Sequence, residues 1–193
     1  MVSERVVVFI DGQNFYHSCR RALKRSDVNV GPFVDMLVTP NRRLIRTYYY
    51  NCLLPADAPL DQRAKQAAFF TQLDKVPYLE VRRGVLVNRE AKCAECGAVT
   101  TRQVEKGVDL YIGVDMVLQA AKDVYDTAIL VSGDRDLLMA VQAVKDLGKH
   151  VEVVAFANSC AGDLRRAADV YRPLRPGDFS AGDLYVPKAV PTP

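Results

Sequence analysis

The chain has 193 residues, of which 49% are hydrophobic and 25% are charged, and its formal net charge is +3. This composition is typical of one globular domain with a buried core, and it excludes a disordered or fibrous protein. The small positive charge is compatible with a polyanionic partner but does not require one.

The cysteines argue against a secreted, disulfide-stabilised protein. Their number, five, is odd, and only Cys93 and Cys96 lie close together in the sequence, which favours a reducing compartment. No apolar run approaches the roughly 20 residues that span a bilayer. The first apolar run, 6–10, is too short for the core of a signal peptide. We therefore expect a cytoplasmic protein without a membrane partner.

Short apolar segments alternate with helical patterns along the chain. Almost uninterrupted apolar runs predict strands that are buried on both faces of a parallel sheet, and they cover 6–10, 44–52, 128–131 and 151–156, with a further strand at 81–88. Apolar residues at helical spacing predict helices over 14–24, 60–76, 108–122 and 137–147, the last ended by Gly148. This alternation predicts an α/β fold with a central, mostly parallel sheet flanked by helices.

The composition changes towards the C-terminus. Five of the ten prolines lie at or after Pro173. We expect one domain over 1–174 and a Pro-rich, extended tail over 175–193, with Phe179 or Tyr185 as a docking residue.

Aspartates follow two of the predicted strands directly. Asp11 comes after the first strand, Asp134 and Asp136 come after the strand at 128–131, and Asp109 begins a helix. Ligands of open α/β sheets bind beyond the carboxyl ends of the strands, so we expect these carboxylates to converge. Crowded carboxylates repel each other unless a cation offsets their charge. Oxygen ligands of this kind suit Mg²⁺ or Mn²⁺.

A single aspartate after a strand is often only a helix cap or a turn residue. The combination of two strand ends rich in Asp, Gly and Asn favours a functional site. Asp115 lies six residues beyond Asp109 and therefore points to a different side of the helix. We expect Asp115 to support the site or anchor packing, without being a direct ligand.

Three sequence motifs carry a family resemblance. They are FIDGQNFY at 9–16, KGVD at 106–109 with Asp115 after it, and LVSGDRDL at 130–137, and a weaker pattern includes Ser159, Leu164 and Asp169. In this order and spacing they resemble the motifs of NYN domains, in the LabA-like branch of the PIN-like nuclease superfamily. The resemblance covers about residues 5–174.

The resemblance implies a PIN-like Rossmannoid fold and a metal-dependent ribonuclease that hydrolyses RNA phosphodiester bonds. By position, it implies that the metal-binding and catalytic carboxylates are those of Asp11, Asp109, Asp134 and Asp136. Asn14 would hydrogen-bond near the metal or the scissile phosphate. The Ser132 hydroxyl would orient a phosphate or a carboxylate.

Basic residues near these motifs are candidates for phosphate contacts. Lys106 directly precedes the rest of the second motif. Arg21, with His17 and either Lys24 or Arg25, would extend a basic stripe from the site along the first helix. Such contacts give affinity without sequence readout. A solvated surface is the alternative interpretation.

Cys93 and Cys96 form a CxxC pair followed by Gly97, which resembles one knuckle of a zinc ribbon. A structural Zn²⁺ site needs four ligands. Three interpretations remain open: a zinc ion shared across a homodimer, a degenerate knuckle, and a redox pair.

Two other functions compete with the nuclease. One is a non-catalytic RNA- or protein-binding NYN module that keeps the acidic pocket. The other is a Rossmann-like phosphatase, which commonly needs Asp-x-Asp directly after the first strand. Gln13 occupies the position of the second aspartate, so the phosphatase ranks last.

Overall fold

The computed structural model of the chain describes residues 3–92, 95–180 and 184–185, and for 85–92 and 101–106 it describes the backbone alone. The strands are β1 (Glu4–Asp11), β2 (Arg42–Cys52), β3 (Leu79–Lys92), β4 (Val99–Lys106), β5 (Thr127–Val131), β6 (His150–Phe156) and β7 (Val170–Leu174). The helices are α1 (Gly12–Leu23), α2 (Val30–Leu37), α3 (Leu60–Leu73), α4 (Val108–Ala121), α5 (Leu138–Asp146) and α6 (Gly162–Ala167).

The strands form one sheet in the order β4-β3-β2-β1-β5-β6-β7. All neighbouring strands are parallel except β4, which pairs antiparallel with the outer half of β3. β1 lies between β2 and β5, with Asp11 opposite Tyr50 and Ile10 opposite Val131. The predicted α/β fold with a mostly parallel central sheet is therefore confirmed.

Helices cover both faces of the sheet, which explains the uninterrupted apolar strands. Successive side chains of β1 point to opposite faces. Val6, Val8 and Ile10 pack with α1, α2 and α3 on one face, whereas Val7 and Phe9 pack with α4, α5 and α6 on the other. The longest described helices, α3 and α4, have 14 residues each. No described helix has both the length and the apolar character needed to cross a bilayer.

Four elements do not follow from the apolar patterns. The helix α2 contains Gly31 and Pro32, which disfavour a helix in most positions. Pro32 lies in the first turn, where a backbone N–H has no acceptor within the helix, so its missing N–H costs no helical hydrogen bond. The edge strand β7 contains Pro173, which an edge tolerates. β4 is mostly polar, and α6 has only six residues, so neither has enough apolar periodicity to be predicted.

Residues beyond β7 also pack against the domain. Phe179 is buried, and its ring stacks on those of Phe33 and Phe156, at centroid distances of 5.9 and 5.8 Å. The ring centroid of Tyr185 lies 3.5 Å from the guanidinium carbon of Arg25. The described part of the C-terminal segment therefore contributes to the core on the α1 and α2 face.

A buried ion-pair network lies towards the opposite end of the sheet from Asp11. The carboxylate of Glu152 in β6 is buried and accepts from Nη1 of Arg42 at 2.6 Å and from Nη1 of Arg172 at 3.0 Å. Nε of Arg42 also donates to Glu4 at 2.9 Å. Since these residues come from β1, β2, β6 and β7, the network ties strands across the sheet.

Candidate metal centre

Three carboxylates converge at the C-terminal edge of the sheet. Asp11 is the last residue of β1, Asp134 follows β5, and Asp109 lies in the first turn of α4. One carboxylate oxygen from each lies within 4.8 Å of the other two. Because β1 and β5 are neighbours, their ends bring Asp11 and Asp134 together. Asp11 is only 4% exposed, so its charge is held within the protein.

Both carboxylate oxygens of Asp11 accept hydrogen bonds. Asp11 is the N-cap of α1, and the backbone N–H of Asn14 donates to Oδ1 at 3.0 Å. The hydroxyl of Ser132 donates to Oδ2 at 2.9 Å. The carboxylate is therefore fixed from two directions, by the helix that follows β1 and by the end of β5.

The loop after β5 is joined to the same network. The backbone N–H of Asp134 donates to the Ser132 oxygen at 3.1 Å, and the N–H of Gly133 donates to Oδ1 of Asn14 at 3.1 Å. Oδ1 of Asp134 accepts from the backbone N–H of Asp136 at 3.0 Å. These contacts place Asp134 relative to Asp11.

Two glycines permit close approach of the chain around these carboxylates. A Cβ at Gly133 would overlap the carbonyl oxygen of Ser159 and lie 2.6 Å from its carbonyl carbon. A Cβ at Gly12 would lie 2.5 Å from the carbonyl oxygen of Tyr50. Both contacts are with backbone atoms, so a larger residue would displace the segments that carry the site.

The third carboxylate is positioned by the start of α4. Gly107 has φ 90°, a left-handed conformation that favours glycine, and it is the N-cap that turns the chain from β4 into α4. Asp109 is exposed in the first turn. The positive end of the helix dipole favours a carboxylate there.

The carboxylates face a cavity of about 440 Å³. Its other main wall is one face of α1, which presents Gln13, Asn14, His17, Ser18 and Arg21. The remaining lining residues are Gly107, Val108 and Ser159. The cavity thus joins an acidic cluster to a wall that carries an imidazole and a guanidinium group.

The structure brings six of the predicted residues to this cavity: Asp11, Asn14, His17, Arg21, Asp109 and Asp134. The signal for the additional residues Gln13 and Ser18 is present in the sequence, because polar residues recur at helical spacing through 13, 14, 17, 18 and 21. The predicted basic stripe follows the same spacing but includes only the basic side chains.

Two other predicted residues, Asp136 and Ser132, do not line the cavity. Asp136 is exposed and is outside the group of three carboxylates. Ser132 is buried and, through its bonds to Asp11 and Asp134, orients a carboxylate without lining the cavity. Lys106 is the last residue of β4, but its side chain lies outside the described part of the chain.

Asp115 lies away from the three carboxylates. It accepts a hydrogen bond from the hydroxyl of buried Tyr50 at 2.8 Å and lies 3.8 Å from Nε of Arg82. Burial, and next the Asp115 charge, raise the pKa of Tyr50, which keeps its hydroxyl protonated as the donor. Asp115 therefore anchors α4 to β2.

The zinc hypothesis stays a prediction. Cys93 lies outside the described residues, and Cys96 is exposed. Burial raises the pKa of Cys19 to about 12, so this thiol stays neutral and is a poor metal ligand. Metal analysis of protein purified without chelator tests the hypothesis, and zinc near zero per chain would end it.

The donor set fits a hard divalent cation. Carboxylate oxygens are the ligands that Mg²⁺ and Mn²⁺ prefer. Two oxygens bound to one Mg²⁺, each about 2.1 Å away, are at most about 4.2 Å apart. The 4.8 Å limit on the three oxygens is close to this value, so small side-chain rotations would complete the site.

The chain belongs to the NYN-domain family, because the family model described as NYN domain matches residues 5–175. NYN domains are in general nuclease-like, which supports a hydrolase at a coarse level. The match is to the family, and the LabA-like branch stays a prediction.

Among solved structures, the chain is similar to the crystal structure of a protein of unknown function from Vibrio parahaemolyticus. The TM-score is 0.69, the identity is 23%, and the alignment covers 95% of this chain and 97% of that chain. This likeness shows the fold. No curated protein matches the chain.

Proposed function

We propose that the protein is a ribonuclease that hydrolyses RNA phosphodiester bonds with Mg²⁺ or Mn²⁺ held by Asp11, Asp109 and Asp134. The observation that carries the proposal is the convergence of three carboxylate oxygens within 4.8 Å at the edge of the sheet. The nuclease-like character of the family supports it.

The chain's own residues prepare the site. Hydrogen bonds from Asn14 and Ser132 hold the Asp11 carboxylate, and the Asp136 N–H holds that of Asp134. Ligands fixed in this way need little reorganisation when a substrate arrives. When bound, a divalent ion would supply Lewis acidity that activates the attacking water and offsets charge on the phosphate.

The α1 wall of the cavity suits the rest of the polynucleotide. Arg21 lines the cavity and has no ion pair with any carboxylate in the described part of the chain, so its charge is available to phosphate. Ten residues separate it from Asp11, which is about 15 Å along a helix axis. Arg21 would therefore contact a phosphate beyond the scissile one.

The central test is hydrolysis of mixed RNA with Mn²⁺ or Mg²⁺ by wild type, Asp11→Asn and Asp134→Asn. Asparagine keeps an oxygen that caps the following turn, so these variants should fold. We expect activity to fall by on the order of 100-fold or more. Asp61→Asn is the matched control, because Asp61 lies on α3 and pairs only with Lys65 among described residues.

Several outcomes would contradict the assignment. If both active-site variants cleave like wild type, the activity is a contaminant or the site is wrong. If RNA is bound but no product forms with Mn²⁺, the protein is a non-catalytic NYN module. Calorimetric titration with Mn²⁺ gives an independent check: wild type should take up the ion, and Asp11→Asn should lose that uptake.

The same assays decide whether the metal centre has three carboxylate ligands or also includes Asp136. Asp136 is predicted as a ligand by the family resemblance, but the structure leaves it outside the group of three. We expect Asp136→Asn to retain much more Mn²⁺ affinity than Asp134→Asn. Equal losses in the two variants would place Asp136 in the metal centre.

The variant Arg21→Ala tests whether the α1 wall of the cavity contacts RNA, and the neighbouring Arg20 provides the comparison. The change should raise KM for RNA and flatten the salt dependence of binding, because one phosphate contact is lost. Arg20→Ala is the control, since Arg20 is exposed next to Arg21 but does not line the cavity. Equal effects of the two variants would indicate a general charge effect.

A further inference from the structure

A second cavity, of about 360 Å³, lies between the sheet and the side of α4 that faces β2 and β3. Tyr48 and Arg46 of β2, Arg82 of β3 and Gln119 of α4 line it. It shares no lining residue with the metal centre. Its size falls in the usual range for small-molecule sites, roughly 300–1,000 Å³.

Two nearly buried polar side chains line this cavity. Gln119 is 9% exposed and Tyr48 is 8% exposed, yet neither side chain hydrogen-bonds to any residue in the described ranges. Among the described residues only the Thr47 hydroxyl is a fully buried side-chain polar atom without a partner, so the polar atoms of Gln119 and Tyr48 reach the cavity surface. A ligand in the cavity can therefore hydrogen-bond to both.

The cavity is also basic. Arg46, Arg82 and Lys122 line it, against the single carboxylate of Asp115. Arg82 is engaged with Glu80 at 3.2 Å and with Asp115 at 3.8 Å. Arg46 and Lys122 form no ion pair with a described carboxylate and are both exposed, so they can receive an anion.

Planar and apolar groups complete the lining. The guanidinium carbon of Arg82 lies 5.3 Å from the ring centroid of Tyr48, and that ring stacks on Phe9 at 5.8 Å with an interplanar angle of 21°. Guanidinium planes stack on nucleobases. Ile45 and Leu118 add apolar contact surface.

We infer that this cavity binds a nucleotide of the size of a nucleoside monophosphate. The base stacks on Arg82 and the apolar wall, the Gln119 amide pairs with the base edge, as glutamine does with adenine, and Arg46 and Lys122 bind the phosphate. The inference does not depend on the proposed nuclease activity, because none of these residues lines the metal centre.

The test is calorimetric titration of the full chain with AMP, GMP, CMP and UMP in the presence of EDTA. Without a divalent ion, the three carboxylates of the metal centre repel phosphate, which disfavours binding there, and the variants below assign the binding to one cavity. We expect saturable binding, strongest for AMP. Adenosine and inorganic phosphate should each bind at least about tenfold more weakly than AMP, since each lacks half of the contacts.

Variants locate the binding. Gln119→Leu should weaken AMP at least about tenfold, and it should fold, because it removes a polar group that has no described partner. Lys122→Ala should weaken AMP but leave adenosine binding unchanged. Asp11→Asn should bind AMP like wild type, because Asp11 belongs to the other cavity.

Three results would overturn the inference. They are the absence of saturable binding by any of the four nucleotides, AMP binding that both Gln119→Leu and Lys122→Ala leave unchanged, and AMP binding that Asp11→Asn abolishes. Circular dichroism of each variant separates a binding defect from a folding defect.

Discussion

Gly133 lies in the loop after β5, against the segment that begins at Ser159, and replacing it with alanine should disturb both segments. The added Cβ would overlap the Ser159 carbonyl oxygen and lie 2.6 Å from its carbonyl carbon. Neither segment can slide away freely, because the Ala161 N–H donates to the Gly133 oxygen at 3.0 Å. Overpacking of this kind costs roughly 1–3 kcal/mol, and a strained hydrogen bond adds about 1 kcal/mol. We expect Gly133→Ala to lower the free energy of unfolding by about 3 kcal/mol.

Urea unfolding followed by circular dichroism measures this loss, with the m-value checked for a change in the unfolded state. Gly177→Ala is the matched control, because a Cβ at Gly177 would meet no atom within 4 Å and its φ is not positive. That variant should be as stable as wild type or more stable by up to about 1 kcal/mol. Because the Gly133 N–H also contacts Asn14, Gly133→Ala should weaken Mn²⁺ binding as well. A free energy of unfolding within about 0.5 kcal/mol of wild type for Gly133→Ala would refute the packing argument.

Three further predictions concern stability. Glu152→Gln should lower the free energy of unfolding by about 3 kcal/mol, because it removes the charge of the buried carboxylate that pairs with both Arg42 and Arg172; a neutral result in urea unfolding would contradict this. Thr47→Val should raise the free energy of unfolding by about 1 kcal/mol, because the Thr47 hydroxyl is buried without a hydrogen-bond partner among the described residues. A loss of stability would show that the hydroxyl has such a partner. The Arg5 guanidinium lowers the pKa of Asp126 to about 2, so this pair stabilises the fold above about pH 4 and the stabilisation is lost as the pH falls from about 4 to about 2. Thermal unfolding should therefore show Asp126→Asn less stable than wild type at about pH 7 and equal to it near pH 2, whereas a constant difference would rule out this linkage.

The class of fold and much of the acidic site could be predicted from the sequence. Apolar runs without polar interruption indicated strands covered on both faces, because a strand with one face in water would alternate polar and apolar residues. The positions of Asp11 and Asp134 at strand ends implied that they meet if their strands are neighbours. Elements with little apolar periodicity, such as β4, were not predicted, because polar hairpin strands lack that signal.

Strand order and side-chain direction were decided by the tertiary structure. Only the placement of β1 beside β5 brings Asp11 and Asp134 together, and only the turn after β5 directs Asp134 towards the cavity while Asp136 stays exposed. The second cavity depends on the same level of organisation, since it joins Arg46 to Gln119 across more than seventy residues. Local burial patterns follow from residues that are close in the sequence, whereas distances between remote side chains depend on how the strands assemble into the sheet.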